Sequence, residues 1–314
     1  MKRERHARPA DRYAVIGDPV AHSVSPPMQR AAFAHAGIDA DYVARRVRAE
    51  DLPSAMPLLR EEFAGLNVTR PLKEAVAGLV DALSPSAAAG GSVNTIVLRD
   101  GRATGESTDG VGFLAALARV HSTPIGRALV LGTGGATRAV AAALAAGGTH
   151  VQILGRNEAA GLRLAEDLTR RLAPPQAAAA GRIEYAGSQV PALLPGADLV
   201  VNATPLGDPS MPGASPVPIE APLESVEPKP VVFDLIYRPR RTPLLRRAAD
   251  AGCPVVEGVE MLIEQGARSF ELWTGLDAPL EVMRAAAYAA LADDAGPDRP
   301  GAPARLPVRA SDGG

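Results

Sequence analysis

Ala128-Leu129-Val130-Leu131 runs straight into Gly132-Thr133-Gly134-Gly135-Ala136, and an alanine-rich stretch continues to Ala146. Few features restrict a fold as tightly. The short apolar run reads as a buried strand and the alanines as a helix. Between them, glycines let the backbone turn sharply and approach a pyrophosphate. The following helix N-terminus offers free N–H groups and a partial positive charge. A second strand, Val151-Gln152-Ile153-Leu154, comes about twenty residues later. This order describes a dinucleotide-binding unit, with Gly132, Thr133, Gly134, Gly135 and Ala136 as its cofactor loop.

The end of the second strand selects the nucleotide. NAD sites usually place a carboxylate there for the ribose hydroxyls. Here the chain reads Gly155-Arg156-Asn157, and the first acid is Glu158. An arginine pairs with a 2′-phosphate through parallel charge-assisted hydrogen bonds. The expected cofactor is therefore NADP.

The rest of the chain fits a two-domain α/β protein. Its 314 residues are enough for two domains. With 33 basic and 35 acidic residues, it has no global field to attract nucleic acid or an anionic membrane. No apolar run is long enough to span a bilayer. The basic stretch Met1–Arg8 lacks the apolar core of a signal peptide. A single cysteine, Cys253, excludes an intrachain disulfide and reads as a buried, inert thiol. A cytoplasmic protein, monomeric or homodimeric, is expected.

Strands are predicted at 13–17, 41–47 and 66–69, alternating with helices at 27–36, 52–63 and 73–80. Such alternation implies parallel strands covered by helices on both faces. A further strand at 93–98 meets Asp100-Gly101, which predicts a hairpin turn to Ala103-Thr104-Gly105, and Asp109 opens a helix to about Arg119. Beyond the nucleotide loop, helix 159–172 and strands 199–202 and 231–234 are expected. Eight prolines between Pro205 and Pro230 predict mostly loop. Helices close the chain at 261–274 and 280–292. The predicted organisation is a tail at 1–12, a first α/β domain at 13–120, a Rossmann-type domain at 121–257, closing helices at 258–292 and a tail at 293–314. Both tails, and a low-complexity loop at 174–181, are expected to be disordered or irregular.

Several polar residues fall at strand ends of the first unit: Ser23, Ser25, Thr69, Lys73, Asn94 and Asp109. Singly, each has a mundane reading as a helix cap or a solvated residue. Together their segments resemble the shikimate dehydrogenase family. The matching stretches are Gly17-Asp18-Pro19-Val20-Ala21-His22-Ser23-Val24-Ser25-Pro26, Asn67-Val68-Thr69-Arg70-Pro71-Leu72-Lys73-Glu74, Val93-Asn94-Thr95 and Thr108-Asp109-Gly110. The glycine loop follows, then Asn202-Ala203-Thr204-Pro205-Leu206-Gly207, Asp234-Leu235-Ile236-Tyr237 and Met261-Leu262-Ile263-Glu264-Gln265-Gly266. They occur in unbroken order over about residues 13 to 290.

The resemblance implies a substrate-binding, catalytic α/β domain at 13–120 and a Rossmann-type NADP-binding domain at 121–257 flanking a cleft, with the helices at 258–292 returning to the first domain. It also implies reversible NADPH-dependent reduction of 3-dehydroshikimate to shikimate, a step towards chorismate and the aromatic amino acids. By motif, Ser23, Ser25 and Tyr237 would hold the substrate carboxylate. Thr69, Asn94, Asp109 and Gln265 would surround the ring. Lys73 would be the catalytic acid/base, paired with Asp109, and Leu235 and Gly258 would line the nicotinamide end. The chemistry agrees, because hydride addition to a ketone leaves an alkoxide that needs a proton and nearby positive charge. Lys73 is further expected in the first turn of a helix, where the macrodipole disfavours a cation. That placement suggests a position held for chemistry, whose removal would leave the melting temperature unchanged or slightly raised. The five scattered histidines have no ligand spacing, so no metal is expected.

The chain departs from the family pattern at Gln29 (usually histidine), Ser92 (alanine), Ser107 (asparagine), Gly155 (asparagine) and Asp208 (methionine). A second arginine usual near Ala160 has its nearest counterpart in Arg163. Two rivals remain open: a quinate-type or other shikimate-dehydrogenase-like relative, and a non-catalytic nucleotide sensor. The serine pair argues against the first, and Lys73 with Asp109 against the second.

Overall fold

The computed structural model describes residues 11–172 and 181–293. Expectations for residues 1–10, 173–180 and 294–314 lie outside the described residues. The first unit contains β1 (Asp11–Gly17), α1 (Ser25–His35), β2 (Ala40–Arg46), α2 (Leu52–Glu62) and β3 (Gly65–Val68). β4 (Ala82–Leu83), α3 (Pro85–Gly90), β5 (Thr95–Arg99), β6 (Arg102–Glu106) and α4 (Asp109–Ala118) follow. β1 begins two residues before the expected strand, pairing Asp11 and Arg12 with β2.

The first sheet has the order β2-β1-β3-β5-β6-β4. It is mixed, because the predicted hairpin is joined to the parallel strands that the alternation implies. β1, β2 and β3 run parallel, but β5 is antiparallel to β3 and to β6. β5 turns back into β6 at Asp100 and Gly101, with φ of 51° and 75°. Two consecutive positive φ values give the tight turn whose twist suits a hairpin. β1 is buried on both faces. Tyr13 and Val15 meet α1 and the last two helices, while Ala14 and Ile16 meet α2. That is why its sequence is a continuous apolar run rather than an alternating one.

The second unit contains β7 (Arg127–Leu131), α5 (Gly135–Ala146), β8 (His150–Leu154), α6 (Glu158–Leu172), β9 (Ile183–Tyr185) and α7 (Val190–Leu193). It continues with β10 (Leu199–Asn202), β11 (Val231–Asp234), α8 (Pro243–Asp250) and β12 (Val255–Glu257). Its sheet order is β12-β11-β10-β7-β8-β9, with every pairing parallel. The chain winds outward from β7 in one direction, then returns to β10 and winds in the other. Loops leaving β7 and β10 therefore diverge at the carboxyl edge and open a crevice, where such sheets bind ligands. The stretch 205–230 is loop, as its prolines predict. It still buries Val217, Ala221, Leu223 and Val226 against the strands, beside Cys253.

The chain ends in α9 (Gly258–Thr274) and α10 (Leu280–Asp293). Both pack back on the first sheet. Val259, Ile263, Phe270, Met283 and Ala287 share one core with Tyr13, Met28 and Phe33. Burying a side chain such as Phe270 contributes about 1.5–3 kcal/mol. Trp273 completes this core, donating from Nε1 to the Ile96 carbonyl at 3.1 Å. α9 also crosses α4 closely: a Cβ added to Gly112 would lie 2.5 Å from the Gln265 nitrogen. Only glycine permits that approach, and it brings Gln265 beside the start of α4.

No α-helix begins at Lys73, which corrects an expectation. One 3-10 turn, Ala75–Gly78, stands where a helix was predicted. The Lys73 carbonyl accepts from the Val93 nitrogen at 2.8 Å, tying this segment to the approach to β5. Lys73 is therefore not subject to an unfavourable helix macrodipole.

Candidate active site

Asp109 opens α4 and is 3% exposed. Its Oδ2 accepts from Lys73 Nζ at 2.5 Å, and its Oδ1 from Asn94 Nδ2 at 2.8 Å. Both oxygens are thus engaged, and the carboxylate is fixed. An ammonium carries three N–H donors, so Lys73 keeps two for a ligand. Its side chain is 17% exposed, enough to be reached from the cleft.

Asn94 lies one residue before β5 rather than within it. Its Oδ1 accepts from the Thr108 nitrogen at 2.7 Å. Its Nδ2 reaches Thr108 Oγ1 at 2.9 Å and Gln265 Oε1 at 3.1 Å, besides Asp109. Three acceptors compete for two hydrogens, so the amide works largely inside the cluster and orients Asp109. Gln265 Nε2 donates to the Leu262 carbonyl at 2.7 Å, which leaves one amide hydrogen free. Lys73, Asn94, Asp109 and Gln265 therefore come together from four separate segments.

A buried network continues behind them, and sequence reasoning gave its members no role. Asn67 Nδ2 lies 3.0 Å from both Thr95 Oγ1 and Ser269 Oγ, and those two hydroxyls are 2.8 Å apart. Tyr42 donates its hydroxyl to Asn67 Oδ1 at 2.6 Å. Burial raises the Tyr42 pKa, partly opposed by a hydrogen bond with Ser25. One clue was available: Ser269 follows Gln265 by four residues and shares its helix face. No local clue places Tyr42 here.

Ser25 is buried at the start of α1, and its backbone nitrogen donates to Ser23 Oγ at 3.2 Å. Thr69, half-buried, follows β3 and is held by a bond from its nitrogen to the Ile16 carbonyl at 2.9 Å. Tyr237 is half-buried beyond β11. Burial raises its pKa, with Arg238 and Arg70 opposing, so it is a neutral phenol with cations nearby. Gln29, in place of the usual histidine, donates to the Gly266 carbonyl at 2.8 Å and braces α1 against α9.

The nucleotide side is equally local. Gly132 has φ of +120°, and a Cβ there would lie 2.9 Å from the Ala203 carbonyl. The loops leaving β7 and β10 therefore touch, and a side chain would prevent it. α5 starts with no side-chain cap and no acid in its first turn. Its first N–H groups and positive end are available to an anion. Gly134 faces open space. Gly155 lies against Thr133, which sets Arg156 beside the glycine loop. Arg156 is exposed and has no hydrogen bond or ion pair among the described residues. Asn157 instead caps α6, its Oδ1 accepting from the Ala160 nitrogen at 3.0 Å. Leu235 and Gly258 adjoin: a Cβ on Gly258 would meet the Leu235 carbonyl at 2.6 Å. These residues fit a dinucleotide with an added phosphate: uncapped helix, glycine cradle and an uncommitted arginine. Among the described residues, no group of acidic, histidine or cysteine side chains is arranged to hold a metal, and no helix is long and apolar enough to cross a membrane.

The two units meet at this point. A Cβ on Gly135, the first residue of α5, would sit 3.3 Å from Lys73 Cβ. The nucleotide loop and the lysine are thus in contact across the cleft.

Known proteins resemble this chain in sequence and in fold. Residues 15–96 match the family described as shikimate dehydrogenase substrate binding domain, and residues 258–288 match shikimate 5'-dehydrogenase C-terminal domain. A shikimate dehydrogenase (NADP(+)) of Symbiobacterium thermophilum is 44% identical over 283 residues, covering 88% of this chain and 93% of its own. The crystal structure of shikimate 5-dehydrogenase from Thermus thermophilus in complex with NADP(H) and shikimate is 40% identical. It superposes with a TM-score of 0.78 over 90% of this chain and 100% of that one. Quinate dehydrogenase from Corynebacterium glutamicum in complex with NAD also superposes, with a TM-score of 0.79 over 89% of this chain and 99% of that one, at 28% identity. With the ordered motifs, the Lys73–Asp109 pair and the doubly wound nucleotide sheet, these matches establish that the chain belongs to the shikimate dehydrogenase family.

Proposed function

We propose that this protein is a shikimate dehydrogenase, interconverting 3-dehydroshikimate and shikimate with NADP as cofactor. The observation that carries this reading is the Lys73–Asp109 pair, held at 2.5 Å where the nucleotide loop touches Lys73. Bound NADPH supplies the hydride, which is chemistry no side chain offers. Lys73 donates a proton to the ketone oxygen as it gains negative charge, and its amine takes the proton back in the reverse direction. Asp109 orients the ammonium and also faces the substrate ring. Thr69, Asn94 and Gln265 present hydroxyl and amide groups to the ring, rejecting analogues that leave them unpaired. Ser23, Ser25 and Tyr237 receive the substrate carboxylate. Gly132 to Ala136 and Gly155 to Asn157 hold the nucleotide, Arg156 takes its 2′-phosphate, and Leu235 and Gly258 border the nicotinamide.

In this reading residues 13–120 with 258–292 form the substrate unit and 121–257 the nucleotide unit. The enzyme works in the cytoplasm as a monomer or homodimer and needs no nucleic acid. Steady-state assays with shikimate and quinate, each with NADP and NAD, test the reading. Shikimate with NADP is expected to turn over far fastest. Equal or better use of quinate refutes the substrate assignment, and a preference for NAD refutes the role of Arg156.

A further inference from the structure

Arg138 lies on α5, three residues past Gly135, with its side chain 15% exposed. Its Nη1 donates to Asp167 Oδ2 on α6 at 2.7 Å and reaches the Gly90 carbonyl at the end of α3 at 3.4 Å. Arg171 donates to the same Asp167 oxygen at 2.8 Å and to the Ala88 carbonyl at 3.1 Å. These bonds lock α3, α5 and α6 into one block. Arg138 Nε also forms an ion pair with Glu74, 3.2 Å from Oε2. Glu74 directly follows Lys73. A guanidinium is planar and presents its donors in a fixed fork. One side chain therefore joins the segment carrying Lys73 to the helix that begins at the glycine loop.

The contact at Gly135 makes that join consequential. A Cβ there would lie 3.3 Å from Lys73 Cβ and 4.0 Å from Glu74 Oε1. Any slide of residues 73–74 along α5 changes the distance between the lysine amine and the nucleotide. Glu74 is half exposed, so nothing in the core requires a carboxylate at this place.

We infer that Arg138, acting through Glu74, is a positioning residue that sets the Lys73 amine at its working distance from the nucleotide. This role requires no contact of Arg138 with substrate or cofactor. The inference rests on the proposed roles of Lys73 and the glycine loop. Misplacement of a reacting group by about 1 Å lowers turnover by up to roughly a hundredfold.

The test compares Glu74→Ala, Glu74→Gln, Arg138→Met and the double variant Arg138→Met/Glu74→Ala in the full chain. Wild-type turnover of shikimate tests the proposed function. The ratio of each variant to wild type, on whichever polyol the wild type oxidises, tests Arg138 alone. Glu74→Ala should fold normally, bind NADP with unchanged affinity by calorimetry, and lose roughly ten- to a hundredfold in kcat with little change in either KM. Glu74→Gln keeps an acceptor for Arg138 and should retain most of the activity. The double variant should be no slower than Arg138→Met, since the two residues act as one unit. An equal loss in Glu74→Gln and Glu74→Ala overturns the inference, because charge rather than position would then matter. So does wild-type kcat in Glu74→Ala, weakened NADP binding in it, or additive losses in the double variant.

Discussion

Replacing Lys73 by methionine separates catalysis from architecture, and the structure fixes the sign of both effects. Methionine fills similar volume but removes the ammonium. Asp109, with its side chain 5% exposed, then keeps only the Asn94 hydrogen bond. Breaking a buried pair from one side costs about 3–5 kcal/mol because a charge is left uncompensated. Lys73 is 17% exposed, so water reaches the vacated position, and a cost of about 2–3 kcal/mol is appropriate. For a protein of 314 residues that lowers the melting temperature by roughly 3–5 °C. A cation relieved from a helix N-terminus would instead give no loss or a slight gain, so thermal denaturation decides between the two. Turnover should fall by roughly 10²–10⁴-fold, the range for loss of a general acid. Adding Asp109→Asn should recover much of the stability and none of the turnover. A Lys73→Met protein as stable as wild type refutes the buried-charge account. Near-normal kcat removes Lys73 from the mechanism.

Arg156→Ala should raise the KM for NADP by roughly ten- to a hundredfold, the range for a charge-assisted contact, and change the KM for NAD little. Parallel increases for both cofactors would place Arg156 elsewhere than on the 2′-phosphate. Asp167 supports a prediction in acid. Burial opposes its charge, but hydrogen bonds from Arg138 and Arg171 outweigh burial and hold it below the usual carboxylate range. A depressed folded-state pKa stabilises the protein above the unfolded value of about 3.9, and that contribution is lost as pH falls through the folded value. Asp167→Asn should therefore be less stable than wild type near neutrality, with the difference in urea midpoint shrinking as pH drops below about 4. A difference that stays constant with pH refutes the assignment.

What the sequence determined was local chemistry. The glycine loop follows from residues adjacent in the chain, since strand, turn and helix are each specified within a few positions. The hairpin at Asp100-Gly101 and the looped proline stretch follow in the same way. The order of the motifs identified the family, although many are invisible to periodicity. Short elements such as β9, β12 and α8 went unread, because three to eight residues carry too little pattern to tell strand from helix from loop. Residues 73–80 show the opposite error: their helix-forming composition was overridden by the pairing of Lys73 with Val93 and by the 3-10 turn at Ala75.

Only the tertiary structure decided how the site is assembled. Lys73 and Asp109 are 36 residues apart, and Asn94 and Gln265 are 171 apart. No spacing rule connects them. They meet because α9 returns to the first sheet, buries Ile263 and Phe270 there, and crosses α4 at a glycine. The inner network of Tyr42, Asn67, Thr95 and Ser269 has the same origin: each side chain is ordinary in sequence and acquires its partners only when strands and α9 converge. A buried polar group must find a partner once water is excluded, and which partner it finds depends on the packing of distant elements. Sequence thus named the reacting groups, while the fold set the distances at which they act.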